Sequence, residues 1–168
     1  MDKPDAMLEA GRLDVSLRGS VILGGYCRDG GALEAAAELP VRGLVLSSLN
    51  PALIPIAMQM RFPIVVTEGF NGLPMNILAY RLLTTNAKRE VTVNAEAFDR
   101  YSGARPEVII PLPFTQEPAM PEDVTEFAAG QQVRLRAAPH RGEIGSLVTL
   151  RSGLSTLPSG VRAACANV

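Results

Sequence analysis

Three apolar runs, SVILGGY at 20–26, VRGLVLS at 41–47 and PIVVT at 63–67, are each followed by a loop and then by helix-forming residues. A strand that meets a helix before the next strand cannot close as a hairpin. It returns by a right-handed crossover and lies parallel to its predecessor. The pattern therefore predicts a parallel sheet of at least three strands. The β-branched third run predicts burial on both faces.

The intervening segments supply helix signals. Asp29 is placed to accept from backbone N–H groups at a helix start, and Ala32, Leu33, Ala35, Ala36, Ala37 and Leu39 continue the helix until Pro40 stops it. Asn50 caps a second helix with Pro51 at its first position and Ala52, Leu53, Ile56, Ala57 and Met60 facing inward, while Pro55 distorts its first turn. Pro74 opens a third helix whose inward face is Met75, Leu78 and Leu82, with Ile77 beside them. Residues 90–94 and 107–112 read as two more strands, joined by a polar loop around Tyr101, Ser102 and Gly103. They either close the sheet edge or form a separate ribbon.

In open parallel sheets ligands sit beyond the carboxyl ends of the strands, where helix N-termini offer free N–H groups. The candidate ligand-binding residues there are Gly24, Gly25, Arg28, Ser47, Ser48, Glu68 and Gly69, which suit a small anion held by backbone donors. The glycines serve equally as plain turn residues. Neither Gly-x-Gly-x-x-Gly nor Gly-x4-Gly-Lys-Ser/Thr is present, so no nucleotide cofactor is implied. Glu68 reads as a general base, a lone metal ligand or a loop cap. Cys27, beside Arg28, reads as a thiol of lowered pKa or as an inert buried cysteine. His140 is the single histidine and lies far in sequence from Ser47, Ser48 and Cys27, so a hydrolase triad is not expected. No carboxylate spacing recommends a metal.

Charge divides the chain. Residues 1–129 hold 11 Lys or Arg against 16 Asp or Glu, whereas residues 130–168 hold five Arg against Glu143 alone. Between the halves, 113–129 is rich in proline and acids and reads as a linker. The expected organisation is an α/β domain over 1–112, a linker over 113–129 and a β module over 130–168. In that module Val133, Leu135 and Ala137 alternate with outward Arg134 and Arg136. Gly142 and Gly145 supply the positive φ of a tight turn.

From Gly130 the strand-turn-strand pattern resembles the KOW motif of small SH3-like barrels, found in bacterial transcription elongation factors and several ribosomal proteins. The matching residues are Gly130, Val133, Pro139, Gly142, Gly145 and Leu147. The resemblance implies contact with nucleic acid or protein, and Arg134, Arg136, His140, Arg141 and Arg151 are the candidate contact residues. It also implies a closing strand that the chain does not supply by Val168. The segments TEGFNGLPMN and RPEVIIPLP resemble those of uncharacterised bacterial proteins that combine such a segment with a KOW-like end. On that resemblance the chain is the carboxyl part of a longer protein.

The fold expected is α/β, a small three-layer Rossmann-like parallel sheet followed by a small SH3-like β module. The expected function is non-enzymatic binding or regulation in the cytoplasm, without cofactor or metal, with a protein or nucleic-acid partner on 130–168. No apolar run reaches the 18 or so residues of a membrane span, so no membrane association is expected. Two other readings stay open: an enzyme using the strand-end crevice, and an assembly module that forms homo-oligomers through a strand edge.

Overall fold

The computed structural model describes residues 1–113, 126–137 and 139–168. The chain divides into two compact units, Met1–Pro113 and Phe114–Val168. Most of the expected linker lies outside the described residues. The architecture is mixed α/β, with one three-stranded parallel sheet and several small antiparallel pairs.

In the first unit β1 (Val21–Cys27), β2 (Gly43–Leu49) and β3 (Ile64–Val66) are parallel neighbours in that order, with Leu44 of β2 opposite both Ile22 and Ile64. The three apolar runs thus pair as their spacing requires. All seven residues of β2 are buried, which explains why GLVLSSL shows no alternation. Leu44 and Leu46 belong to a core with Ala32, Leu33 and Ala36 of α1 (Gly30–Glu38) and with Leu53. Asp29 occupies the position before α1, but its side chain makes no capping bond.

The second helix is shorter than expected. Asn50 does cap it, accepting from the Ala52 N–H at 3.1 Å, but Pro51–Leu53 is a 3-10 turn and α2 proper is only Ile54–Ala57. Pro55 has no N–H to bond four residues back, so the first turn tightens. Leu53 is buried and Ile56, Ala57 and Met60 pack on the core, whereas Ala52 is exposed.

α3 (Ile77–Thr85) corrects the expected inward face. Its cap is Asn76, accepting from the Leu78 N–H at 2.8 Å. Met75 is buried but precedes the helix, and Leu78 and Leu82 are each 53% exposed. The less exposed positions are Ala79, Tyr80, Leu83 and Thr84. Two anchors set this rotation: the Asn76 N–H donates to Glu68 Oε1 at 2.9 Å, and the Tyr80 hydroxyl donates to the Asp2 carbonyl at 2.9 Å.

The N-terminal segment adds an element that the sequence did not suggest. Met7 bridges Tyr26 in parallel, the Tyr26 N–H donates to Ala6 O and the Leu8 N–H donates to Tyr26 O, both at 2.9 Å. Short 3-10 turns at Ala10–Arg12 and Val15–Leu17 then return the chain to β1. Farther on, β4 (Thr92–Asn94) and β5 (Glu107–Ile109) pair antiparallel as a ribbon separate from the parallel sheet.

The second unit contains two antiparallel pairs, β6 (Gln132–Arg134) with β7 (Ile144–Ser146) and β8 (Thr149–Thr156) with β9 (Arg162–Asn167). Leu147 and Val148 join them: the Leu147 N–H donates to Gln131 O and the Val148 N–H to Asn167 O, each at 2.8 Å. Gly142, with φ of +89°, takes the left-handed conformation expected in the first hairpin turn. Gly145 does not. A β carbon there would run into the Val168 side chain, which would have to shift to admit it.

Candidate functional site

At the carboxyl ends of the three parallel strands, hydrogen bonds tie the loops to one another. The Asn50 backbone N–H donates to Cys27 O and its Nδ2 to Arg28 O, both at 2.9 Å, which fastens the first loop to the second. The Glu68 N–H donates to Ser47 O at 2.7 Å and the Leu49 N–H to Gly69 O at 3.2 Å, fastening the second loop to the third. Ser48 Oγ donates to Leu73 O at 2.8 Å.

Ser47, Ser48, Glu68 and Gly69 are therefore brought together, but as the buried seam between β2 and the loop that leads to α3. Ser47 and Ser48 have no exposed surface, Glu68 is 8% exposed, and Arg28 on the neighbouring loop is exposed. Ser47 Oγ has no hydrogen-bond partner among the described residues. Glu68 serves as the loop cap anticipated for it, receiving the Asn76 N–H. Gly24 and Gly25 are not loop residues at all, because β1 continues through them to Cys27.

Cys27 belongs to the inert alternative. Burial, reinforced by the negative charge of Asp29, pushes its thiol up to about 11. A reactive thiolate needs the opposite environment.

A cavity of about 560 Å³ lies elsewhere in the first unit. Its walls include Leu23 of β1, Val45 of β2, Leu83 of α3, Val91, and Val108 and Ile110 at the second ribbon strand. Asp2, Glu9 and Arg12 line it from the N-terminal segment, and Lys88, Arg89 and Glu90 from the turn after α3. Arg12 and Asp2 form an ion pair at 2.5 Å, whose hydrogen bond and charge raise the guanidinium and lower the carboxyl. Lys88 and Arg89 have no side-chain partner among the described residues. Sequence reasoning missed this site because it assembles residues from five separate segments. Its one local signal is the Gly24-Gly25 pair inside a strand, which marks close approach by another chain segment.

In the second unit, Arg136, His140 and Arg141 lie exposed on the turn of the first hairpin and Arg151 lies exposed on β8. Arg134 differs from the outward placement expected of it. It is partly buried, and burial, with Arg136 adding repulsion, lowers its pKa. Ala137 is exposed rather than inward. His140 Nδ1 and Glu143 Oε2 lie 3.1 Å apart. On the second hairpin Leu150 pairs with Ala166 and Leu154 with Ala164, with a shift of register between the two pairs, and Leu150 and Leu154 are 48% and 58% exposed.

No helix among the described residues is long and apolar enough to cross a membrane. Neither protein-family models, nor curated proteins, nor solved structures match the chain.

Proposed function

We propose that the protein is a non-enzymatic binding protein whose second unit docks on an acidic protein surface. One observation carries this reading: exposed arginines Arg136, Arg141 and Arg151 share a small β unit with the outward leucines of β8. Aliphatic side chains with peripheral arginines suit a protein interface, in which apolar contact supplies affinity and charge supplies orientation. On this reading the parallel sheet is a small Rossmann-like scaffold and the four strands from β6 to β9 are the KOW-like, SH3-type module that their glycine spacing resembles.

Nucleic acid is the less favoured partner. Residues 130–168 contain no Phe, Tyr or Trp on which bases could stack, and 1–129 carries excess acid that repels phosphate. An enzyme working in the strand-end crevice draws less support, since Ser47 and Ser48 have no exposed surface and Glu68 is 8% exposed.

Cross-linking of the tagged chain in cell extract, beside a variant with Arg136→Glu, Arg141→Glu and Arg151→Glu, tests the proposal. An acidic protein captured by the parent chain and lost by the variant is the expected result. Fluorescence anisotropy with single- and double-stranded oligonucleotides supplies the opposing arm. Saturable binding that weakens steeply between about 50 and about 200 mM salt would overturn the protein reading in favour of nucleic acid.

A further inference from the structure

We propose that the cavity of the first unit binds a medium-length aliphatic chain ending in a single polar head, as in an alkyl alcohol or carboxylate. The inference concerns the first unit alone and stands apart from the docking role of the second.

The sheet supplies the floor. Leu23 of β1, Val45 of β2 and Val65 of β3 stand in one register row across the three strands. Successive side chains of a strand point to opposite faces, and Leu44 and Leu46, which flank Val45, belong to the core with α1. The row therefore faces the other way. Val45 and Val65 are buried but stand outside that core cluster. Leu23 and Val45 instead line the cavity, with Leu83 of α3 and Val108 of β5 in its wall. Layers packed to native density rarely leave a void larger than a water molecule. At about 560 Å³ this one falls within the roughly 300–1,000 Å³ typical of small-molecule sites.

Side-chain chemistry then selects the class. The strand and α-helix residues of the wall carry no charge. Every charged side chain of the wall comes from the N-terminal segment or from the turn after α3, and each of them is exposed. A ligand thus meets an apolar floor and a polar rim. Both signs occur at that rim, so it accepts a solvated head without selecting its charge. Among the described residues no Phe or Tyr lines the cavity, which leaves a nucleobase or other flat ring nothing to stack on. Branched aliphatic walls suit an aliphatic chain.

The test is isothermal titration of the 168-residue chain with hexanol, heptanol and octanol, with octanoate, and with naphthol as an aromatic alcohol. The alkyl alcohols should bind at one site, with affinity rising about fourfold for each added methylene taken out of water. Octanoate should bind within about fivefold of octanol because its head stays at the solvated rim. Naphthol should bind more weakly than octanol. Leu23→Trp from the sheet and Leu83→Trp from the helix should each fill the cavity and abolish octanol binding. Leu78→Trp, on the exposed side of α3, should leave it unchanged. If one filling variant fails to fold, the other decides beside Leu78→Trp, and if both fail, the chain-length series and naphthol decide. No saturable binding of octanol, affinity indifferent to chain length, naphthol binding as tightly as octanol, loss of binding with octanoate, or octanol binding untouched in a folded filling variant would each overturn the proposal.

Discussion

A β carbon placed on Gly25 would overlap the carbonyl oxygen of Ala6, the same oxygen that accepts the Tyr26 N–H. The glycine is thus required by a neighbouring backbone rather than by a turn. Gly24 is tight in a softer way: its β carbon would meet Leu46 Cδ2 at 2.8 Å and Leu8 Cδ1 at 3.2 Å.

Gly25→Ala and Gly24→Ala should therefore separate. The first forces a strand-paired backbone aside and should cost about 3 kcal/mol, while the second asks two leucine methyl groups to move and should cost about 1 kcal/mol. Urea unfolding of the two variants measures the difference. Equal losses would mean that the N-terminal segment is not bound to β1.

Glu68→Ala should cost about 2 kcal/mol, because a partly desolvated backbone donor at Asn76 loses a charged acceptor. Glu68→Gln keeps an acceptor in place and should lose about half as much. Exchange of the Asn76 amide provides a local readout. It should accelerate in both variants, and more in the alanine one.

Lys88→Gly should raise stability by about 0.5–1 kcal/mol, since it relieves a positive φ at an exposed position. Thermal unfolding followed by circular dichroism is sufficient. A decrease would show that the lysine stem is part of the packing around the cavity.

Cys27 should resist alkylation at pH 8, while Cys165, which is less buried, reacts first. The sign of the pH effect follows from the raised thiol. Between the ordinary value of 9.0 and about 11 the folded chain keeps a proton that the unfolded chain gives up. Stability therefore falls as pH rises through that window. Mass spectrometry of iodoacetamide-treated chain, native and in denaturant, checks the order of modification. Stability that rises from pH 9 to 11 would contradict the burial of the thiol.

How much of this was legible in the sequence depends on how local each signal is. The three parallel strands emerge within about two residues of their expected bounds because each is a short apolar run set off by loop and helix signals, although burial on both faces holds only for β2 and not for the β-branched third run of which it was expected. The break at Pro55 is equally local, since the missing N–H acts within one turn. The rotation of α3 is not local. Ile77, Leu78 and Leu82 carry the apolar spacing of an inward face, yet the bonds from Asn76 to Glu68 and from Tyr80 to Asp2 turn the helix differently. Distant partners fixed that outcome. Ala6–Leu8 escaped notice because three residues are too few for periodicity to register, and the cavity escaped with them. Arg134 read as a solvent-facing charge in a simple alternation, but its burial depends on how the strands of the second unit fold around it.

Leu147 and Val148 are adjacent in the chain, yet their N–H groups are donated to different hairpins, one to Gln131 just before β6 and the other to Asn167 at the end of β9. A single peptide step therefore carries two independent reporters. Hydrogen exchange at Leu147 times the opening of the first hairpin, and exchange at Val148 times that of the second. Matching rates would identify the second unit as one cooperative body, and diverging rates would resolve it into two hairpins that breathe separately.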